Sequence, residues 1–91
     1  MKVTRVVALT NKVGIHARPA SAFVRVANSF QCQISVQVPG KEQADGKRLM
    51  TLLALNAGRG ALLTIEAEGD DAEPAVKALQ ELVQAKFGEP E

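Results

Sequence analysis

Gly14-Ile15-His16-Ala17-Arg18-Pro19-Ala20 contains the only histidine of the chain. After it, Ala17, Ala20, Val24 and Ala27 recur at helical spacing, so the stretch reads as the start of an amphipathic helix. Pro19 suits a first turn, where backbone N–H groups have no intrahelical partner and proline has none to give. His16 is therefore expected at or just before a helix N-terminus. Unpaired N–H groups and the positive end of the helix dipole gather there, an arrangement that suits a phosphate. Arg18, two residues on, adds a planar cationic donor. A neutral imidazole is a nucleophile near pH 7, and a phosphoramidate formed on it passes its phosphoryl group on readily. Against this stands a simpler reading, in which a lone histidine before a helix is a surface residue or a weak cap.

Composition narrows the alternatives. The 91 residues suffice for a single domain, taken as residues 1–91, and 46% of them are hydrophobic, enough for a core. Eleven basic and ten acidic residues leave a net charge of +1, which argues against a general nucleic-acid binder. With no Trp or Tyr and three Phe, platforms for stacking bases are not expected. Cys32 is alone, so no intramolecular disulfide can form, which fits a reducing cytoplasm. One Cys and one His at unhelpful spacing make no zinc site, and no metal or cofactor is expected. No apolar run approaches the roughly 20 residues of a membrane span, so membrane insertion is not expected. The N-terminal residues lead into a strand-like segment without a signal-peptide core.

Outward from the histidine, periodicity gives the element order. Val3 to Leu9 is rich in β-branched residues and reads as a strand, followed by a polar loop through Gly14. The first helix should run from Ala17 to about Asn28, with Phe23 widening its apolar stripe and Phe30 anchoring its exit. Ile34, Val36 and Val38 alternate with Ser35 and Gln37, the pattern of a half-buried strand. Pro39-Gly40 is a turn, and polar Lys41–Asp45 reads as the edge strand of a hairpin. Lys47 to Asn56 reads as a short helix that is apolar nearly all round. Leu52 and Leu55 suit a buried face. Leu49, Met50 and Leu53 then either form an exposed docking patch or belong to a helix buried on two sides, and the pattern leaves both open. Ala61–Glu68 is a further strand, with Leu63, Ile65 and Ala67 on one face. The last helix is expected to take Asp71 as N-cap, with Pro74 at the third helical position. Phe87 closes its stripe, and residues 88–91 read as a frayed tail. The order β-α-β-β-α-β-α implies an α/β (α+β) open-faced sandwich with a largely antiparallel sheet, whose strand order periodicity does not set.

The stretch Gly14–Ala20 closely resembles the active-site signature of the HPr family, the histidine-containing phosphocarriers of the bacterial phosphoenolpyruvate:sugar phosphotransferase system. The resemblance extends over nearly the whole chain. It includes Pro39-Gly40-Lys41, the apolar second helix, Gly58-Arg59-Gly60, Thr64-Ile65 and the acidic start of the last helix. It implies a mostly antiparallel four-stranded sheet in order 1-4-2-3 with three helices on one face. It also implies a carrier rather than an enzyme: His16 takes a phosphoryl group on Nδ1, not Nε2, from enzyme I and passes it to an enzyme IIA component. Arg18 and the N–H groups of Ala17 and Arg18 would hold that group, and Leu49 and Met50, with Leu53 beside them, would dock partners. A monomer located in the cytoplasm follows from the same resemblance. The chain departs from the family at Lys47-Arg48, where many members have Lys-Ser and the serine is phosphorylated by a regulatory kinase. Arg48 cannot accept that phosphate, so no regulation is expected there. The segment Glu42–Gly46 is one residue longer than usual. The alternatives are a regulatory module of the same fold, whose His16 phosphorylation state controls protein partners, and a binding domain with an accidental motif.

Overall fold

The computed structural model describes residues 1–90. The chain forms β1 (Lys2–Ala8), α1 (Ala17–Ala27), β2 (Gln33–Gln37), β3 (Ala44–Asp45), α2 (Leu49–Ala54), β4 (Leu62–Glu68) and α3 (Ala72–Gln84), then a short 3-10 turn over Lys86–Gly88. The four strands make one sheet in the order β1-β4-β2-β3, with every neighbouring pair antiparallel. This is the order implied by the resemblance.

Alternation along each strand decides which face the helices cover. Val3 and Val7 of β1, Ile34 and Val36 of β2, and Leu63, Ile65 and Ala67 of β4 are buried. Val6, Thr4 and Glu68 remain exposed. Phe23 and Ala20 of α1 and Val76, Leu79 and Val83 of α3 complete the same core. Arg5 shares the inward phase of β1, yet it lies at the sheet edge and reaches Glu73 in the first turn of α3 at 3.0 Å. Both side chains are exposed, so this ion pair contributes at most about 1 kcal/mol. The fold rests on the apolar face, where truncating a residue such as Leu79 costs about 2–5 kcal/mol.

Two short elements differ from the sequence reading. The edge strand is confined to Ala44–Asp45, within the broader Lys41–Asp45 segment. Helix α2 begins at Leu49 rather than Lys47, because Asp45 holds the preceding chain in a turn. The Asp45 carboxylate accepts the Lys47 N–H at 2.9 Å, and its carbonyl accepts the Arg48 N–H at 3.2 Å. A carboxylate that bonds its own downstream backbone competes with helix formation. Arg48 is accordingly extended and stands at the N-cap of α2.

Asp71 does stand at the N-cap of α3, but its side chain does not cap that helix. Its two carboxylate oxygens accept the N–H groups of Gln31 and Cys32 at 2.8 and 2.9 Å, fastening the entry of β2 to the start of α3. The Gln31 N–H is the main reason the Asp71 carboxyl is held below its ordinary value of 3.8. Burial pushes the Cys32 thiol up, and the neighbouring Asp71 adds to this, so the thiol stays neutral.

The sign of the Asp71 effect follows from linkage. A carboxyl with a lowered folded-state value stabilises the protein above its unfolded value and ceases to do so as pH falls through the folded one. Asp71→Asn should therefore lower the urea midpoint at pH 7. The gap between the two proteins should close as pH drops below about 3.8. A gap that stays constant from pH 7 to pH 2 would refute the assignment.

Candidate functional site

The loop between β1 and α1 is pinned to the segment between α2 and β4. Leu9 exchanges backbone bonds with Gly60 and Ala61, its carbonyl accepting from Gly60 at 2.8 Å and its N–H donating to Ala61 at 2.9 Å. The Ile15 N–H donates to the Ala57 carbonyl at 2.8 Å. Gly14 has φ +79°, and a Cβ there would overlap the Ala57 carbonyl oxygen and lie 2.7 Å from Gly58 Cα. A side chain is excluded both by the backbone conformation and by rigid neighbours.

This clasp delivers His16 to the N-cap of α1 in an extended conformation. The Ala20 N–H donates to the His16 carbonyl at 2.9 Å. The preceding N–H groups, those of Ala17 and Arg18, belong to the turn whose donors have no intrahelical acceptor, and Pro19 has no N–H to offer. No acidic residue occupies this first turn. Ala17 and Arg18 are exposed, and the His16 side chain is 37% exposed. His16, Ala17 and Arg18 thus form one accessible, electropositive helix start.

The imidazole does not cap its own helix. Its Nε2 lies 3.1 Å from Glu89 Oε2. The other Glu89 oxygen accepts from Asn11 Nδ2 at 2.9 Å, and the same amide nitrogen donates to the Gly14 carbonyl at 2.7 Å. Two acceptors around one amide nitrogen settle the orientation of the Asn11 side chain. Asn11 is fully buried, and its Oδ1 has no partner among the described residues.

Glu89 corrects the expectation of a frayed tail. Lys86, Phe87 and Gly88 all have positive φ, which turns the chain back after α3. Phe87 packs on the core, and Glu89 lands on the histidine with its side chain only 13% exposed. Glu91, the last residue of that tail, lies outside the described residues. Sequence reasoning missed both Asn11 and Glu89. The available signal was Phe87-Gly88, an apolar anchor followed by a helix-stop residue, which marks a chain reversal rather than an end.

Leu49, Met50 and Leu53 lie on α2, which packs beside α1. Leu52 and Leu55 are buried, as expected. Met50 is 74% exposed, while Leu49 and Leu53 are half-buried against the core. Two shallow surface hollows of about 480 and 620 Å³ lie elsewhere, around Gln31–Gln33 and Glu68. Neither includes His16. Among the described residues no group of three or more His, Cys, Asp or Glu is placed to hold a metal, and no helix is long and apolar enough to cross a membrane.

An open antiparallel sandwich with a part-exposed histidine at a helix start offers an anion site beside a nucleophilic ring, an arrangement suited to a phosphoryl carrier. The comparisons agree. The family described as PTS HPr component phosphorylation site matches residues 3–85. Phosphocarrier protein HPr of Pseudomonas aeruginosa is 39% identical over 85 residues, covering 93% of this chain and 94% of that protein. Phosphocarrier protein NPr of Shewanella violacea is 38% identical over 88 residues, covering 97% and 96%. The crystal structure of HPr-C-His from Thermoanaerobacter tengcongensis superposes with a TM-score of 0.91 at 38% identity, covering 98% of this chain and 99% of that one. The chain belongs to the HPr family of the phosphotransferase system, whose members are phosphocarriers and not enzymes.

The clasp at Gly14 yields a test. Gly14→Ala should cost at least about 2 kcal/mol of stability, because it combines a forbidden φ with overlap onto backbone. A loss below about 1 kcal/mol in urea unfolding would mean that the loop relaxes and does not pin His16.

Proposed function

We propose that His16 is the phosphoryl acceptor of this phosphocarrier, taking the group on Nδ1 from phosphorylated enzyme I and delivering it to an enzyme IIA component. The observation that carries this reading is the contact between His16 Nε2 and Glu89. It occupies one ring nitrogen and leaves the other as the candidate nucleophile. The incoming phosphoryl oxygens would meet the N–H groups of Ala17 and Arg18 and the Arg18 guanidinium, donors that suit a charge spread over several oxygens.

Partner docking is assigned to α2. Met50 presents a large apolar side chain to solvent, and Leu49 and Leu53 flank it. A flexible thioether suits a surface that must fit two partners in turn. Arg48 offers no hydroxyl at the start of α2, so no regulatory phosphorylation is assigned to that position. The alternative of a regulatory module uses the same His16 chemistry, and no feature of the site favours it.

The deciding experiment is intact mass after incubation with phosphoenolpyruvate and enzyme I. The protein should gain one acid-labile phosphoryl group. His16→Ala should gain none while its unfolding free energy stays within about 0.5 kcal/mol, as befits a part-exposed residue. Arg18→Ala should remain competent but slower. Uptake by His16→Ala would overturn the assignment.

Docking is tested separately. Met50→Glu should weaken binding to enzyme I by at least about tenfold, the loss expected for an apolar anchor at an interface centre. Unchanged binding would remove α2 from the contact surface.

A further inference from the structure

The carrier reading uses Glu89 only to show which ring nitrogen is occupied, and assigns the carboxylate no part in transfer. Yet the chain spends an unusual conformation to bring that carboxylate to the ring. Helix α3 ends at Gln84, and the residues that follow, Lys86 and Phe87, adopt left-handed φ of +56° without being glycine. Such conformations persist where surrounding structure holds them. Here Phe87 is held by the core and the turn is closed by two bonds, Gly88 N–H to the Ala85 carbonyl at 3.0 Å and Glu89 N–H to the Lys86 carbonyl at 2.9 Å. The turn ends with Glu89 between a buried amide and the histidine ring. Its two oxygens are used separately, one by Asn11 Nδ2 and one against His16 Nε2.

We infer that Glu89 is a positioning residue for phosphoryl transfer: held by Asn11, its carboxylate takes the His16 Nε2–H, selects Nδ1 as the nucleophile and supports the positive ring formed on phosphorylation. The inference rests on the carrier reading and deepens it. An ionised carboxylate has no proton to give, so the ring nitrogen facing it must be the one that carries hydrogen. The lone pair is then on Nδ1. In the transfer step that lone pair forms the N–P bond, and the bond from phosphorus to the donor breaks with its electron pair leaving on the donor. The Nε2 proton stays in place, so the ring becomes a cationic N-phosphoimidazolium, with Glu89 facing its Nε2–H. On discharge the acceptor's nucleophile bonds to phosphorus as the N–P bond breaks, that bond's electron pair returns to Nδ1, and the ring is again neutral with hydrogen on Nε2. Glu89 touches neither phosphorus nor its oxygens in this scheme. It acts through the ring, as outer groups orient metal-bound and catalytic histidines elsewhere.

Asn11 explains why the carboxylate is reliable in this place. A glutamate on a loosely held segment would spend most of its time in solvent. The buried amide donates to one carboxylate oxygen while the other faces the ring. Glutamine at 89 cannot reproduce this, because only one of its two terminal atoms accepts a hydrogen bond while both neighbours donate.

The test uses Glu89→Ala and Glu89→Gln in the full chain, with two readouts. In nitrogen-15 spectra of the ring, the wild type should show hydrogen on Nε2 and a downfield Nε2–H resonance slowed in exchange, and Glu89→Ala should lose that resonance. In single-turnover phosphorylation by enzyme I, Glu89→Ala should be slower by about tenfold, the loss expected when one charged hydrogen-bond partner is removed. Glu89→Gln should fall between the two proteins. Unfolding midpoints are measured alongside: Glu89→Ala is expected to lose some stability with the Asn11 bond, and the ring spectrum is the readout that a merely structural role would not move. Hydrogen on Nδ1 in the wild type overturns the inference. So does Glu89→Ala turning over as fast as the wild type, and faster turnover would mean that the contact restrains His16 instead of preparing it. If the wild type takes up no phosphate while a control carrier does, the carrier reading fails and the transfer half of the inference fails with it. The ring spectra then still decide the hydrogen bond.

Discussion

Gly14 lies where the backbone of Ala57 and Gly58 leaves no room for a side chain, and the geometry of the site depends on that close approach. The contact makes the loop after β1 part of the sheet's edge connections, through the bonds of Leu9 and Ile15 to the segment before β4. A loop tied at both ends cannot choose where the next helix begins. Ile15 is buried by the same contact, so His16 falls at the N-cap and Pro19 within the first turn. Placing a side chain on a rigid junction limits the orientations it must search before it reacts, which is the main service a scaffold renders to transfer chemistry.

The site carries costs that the rest of the fold offsets. Asn11 is buried with one polar atom unpaired, a penalty of about 1–3 kcal/mol. Lys86 and Phe87 in left-handed conformations add about 1–2 kcal/mol each. No positive φ falls on Phe23, Ile65, Val76 or Leu79 of the packed face, where periodicity and burial agree. Departures from local preference gathered at one place mark a site held in its geometry by its surroundings. Both departures here meet at Glu89: Asn11 donates to one of its oxygens, and the turn after α3 sets its other oxygen against the imidazole.

That division also explains what could be read from the chain. The strands with Val3 and Val7, Ile34 and Val36, and Leu63 and Ile65, and the stripes of α1 and α3, were legible because a buried face imposes a period. His16 at a helix start was legible from Pro19 and the stripe behind it. The family resemblance supplied the strand order, which periodicity cannot, since pairing is a long-range choice. The start of α2 was displaced because the Asp45 carboxylate competes locally with the first helical turn, an effect that apolar spacing does not register. Asp71 was placed correctly at the N-cap, but its oxygens serve Gln31 and Cys32, forty residues away in the chain. The Asn11–Glu89–His16 chain was illegible for the same reason. It joins a polar loop to a polar tail across more than seventy residues, and polarity alone does not say which groups will meet.

A carrier faces a requirement that an enzyme does not. The group it binds must survive the journey between partners and still leave quickly on arrival. A deep pocket would protect the group but hinder the second partner, and His16 is instead half-exposed at a helix start. The surface hollows lie at the start of β2 and belong to other residues. Control must then come from the ring itself, because the phosphoryl side has to remain open to each partner. In the proposed scheme a hydrogen bond at Nε2 acts on the ring away from the nitrogen that carries the phosphoryl group. There it leaves Nδ1 available, with Glu89 facing the hydrogen on Nε2, so the ring departs as a neutral imidazole when the second partner attacks. The tail of α3 is a suitable source for such a contact. It reaches the site from outside the β1–α1 loop, so the loop geometry set by Gly14 need not change for the carboxylate to be present.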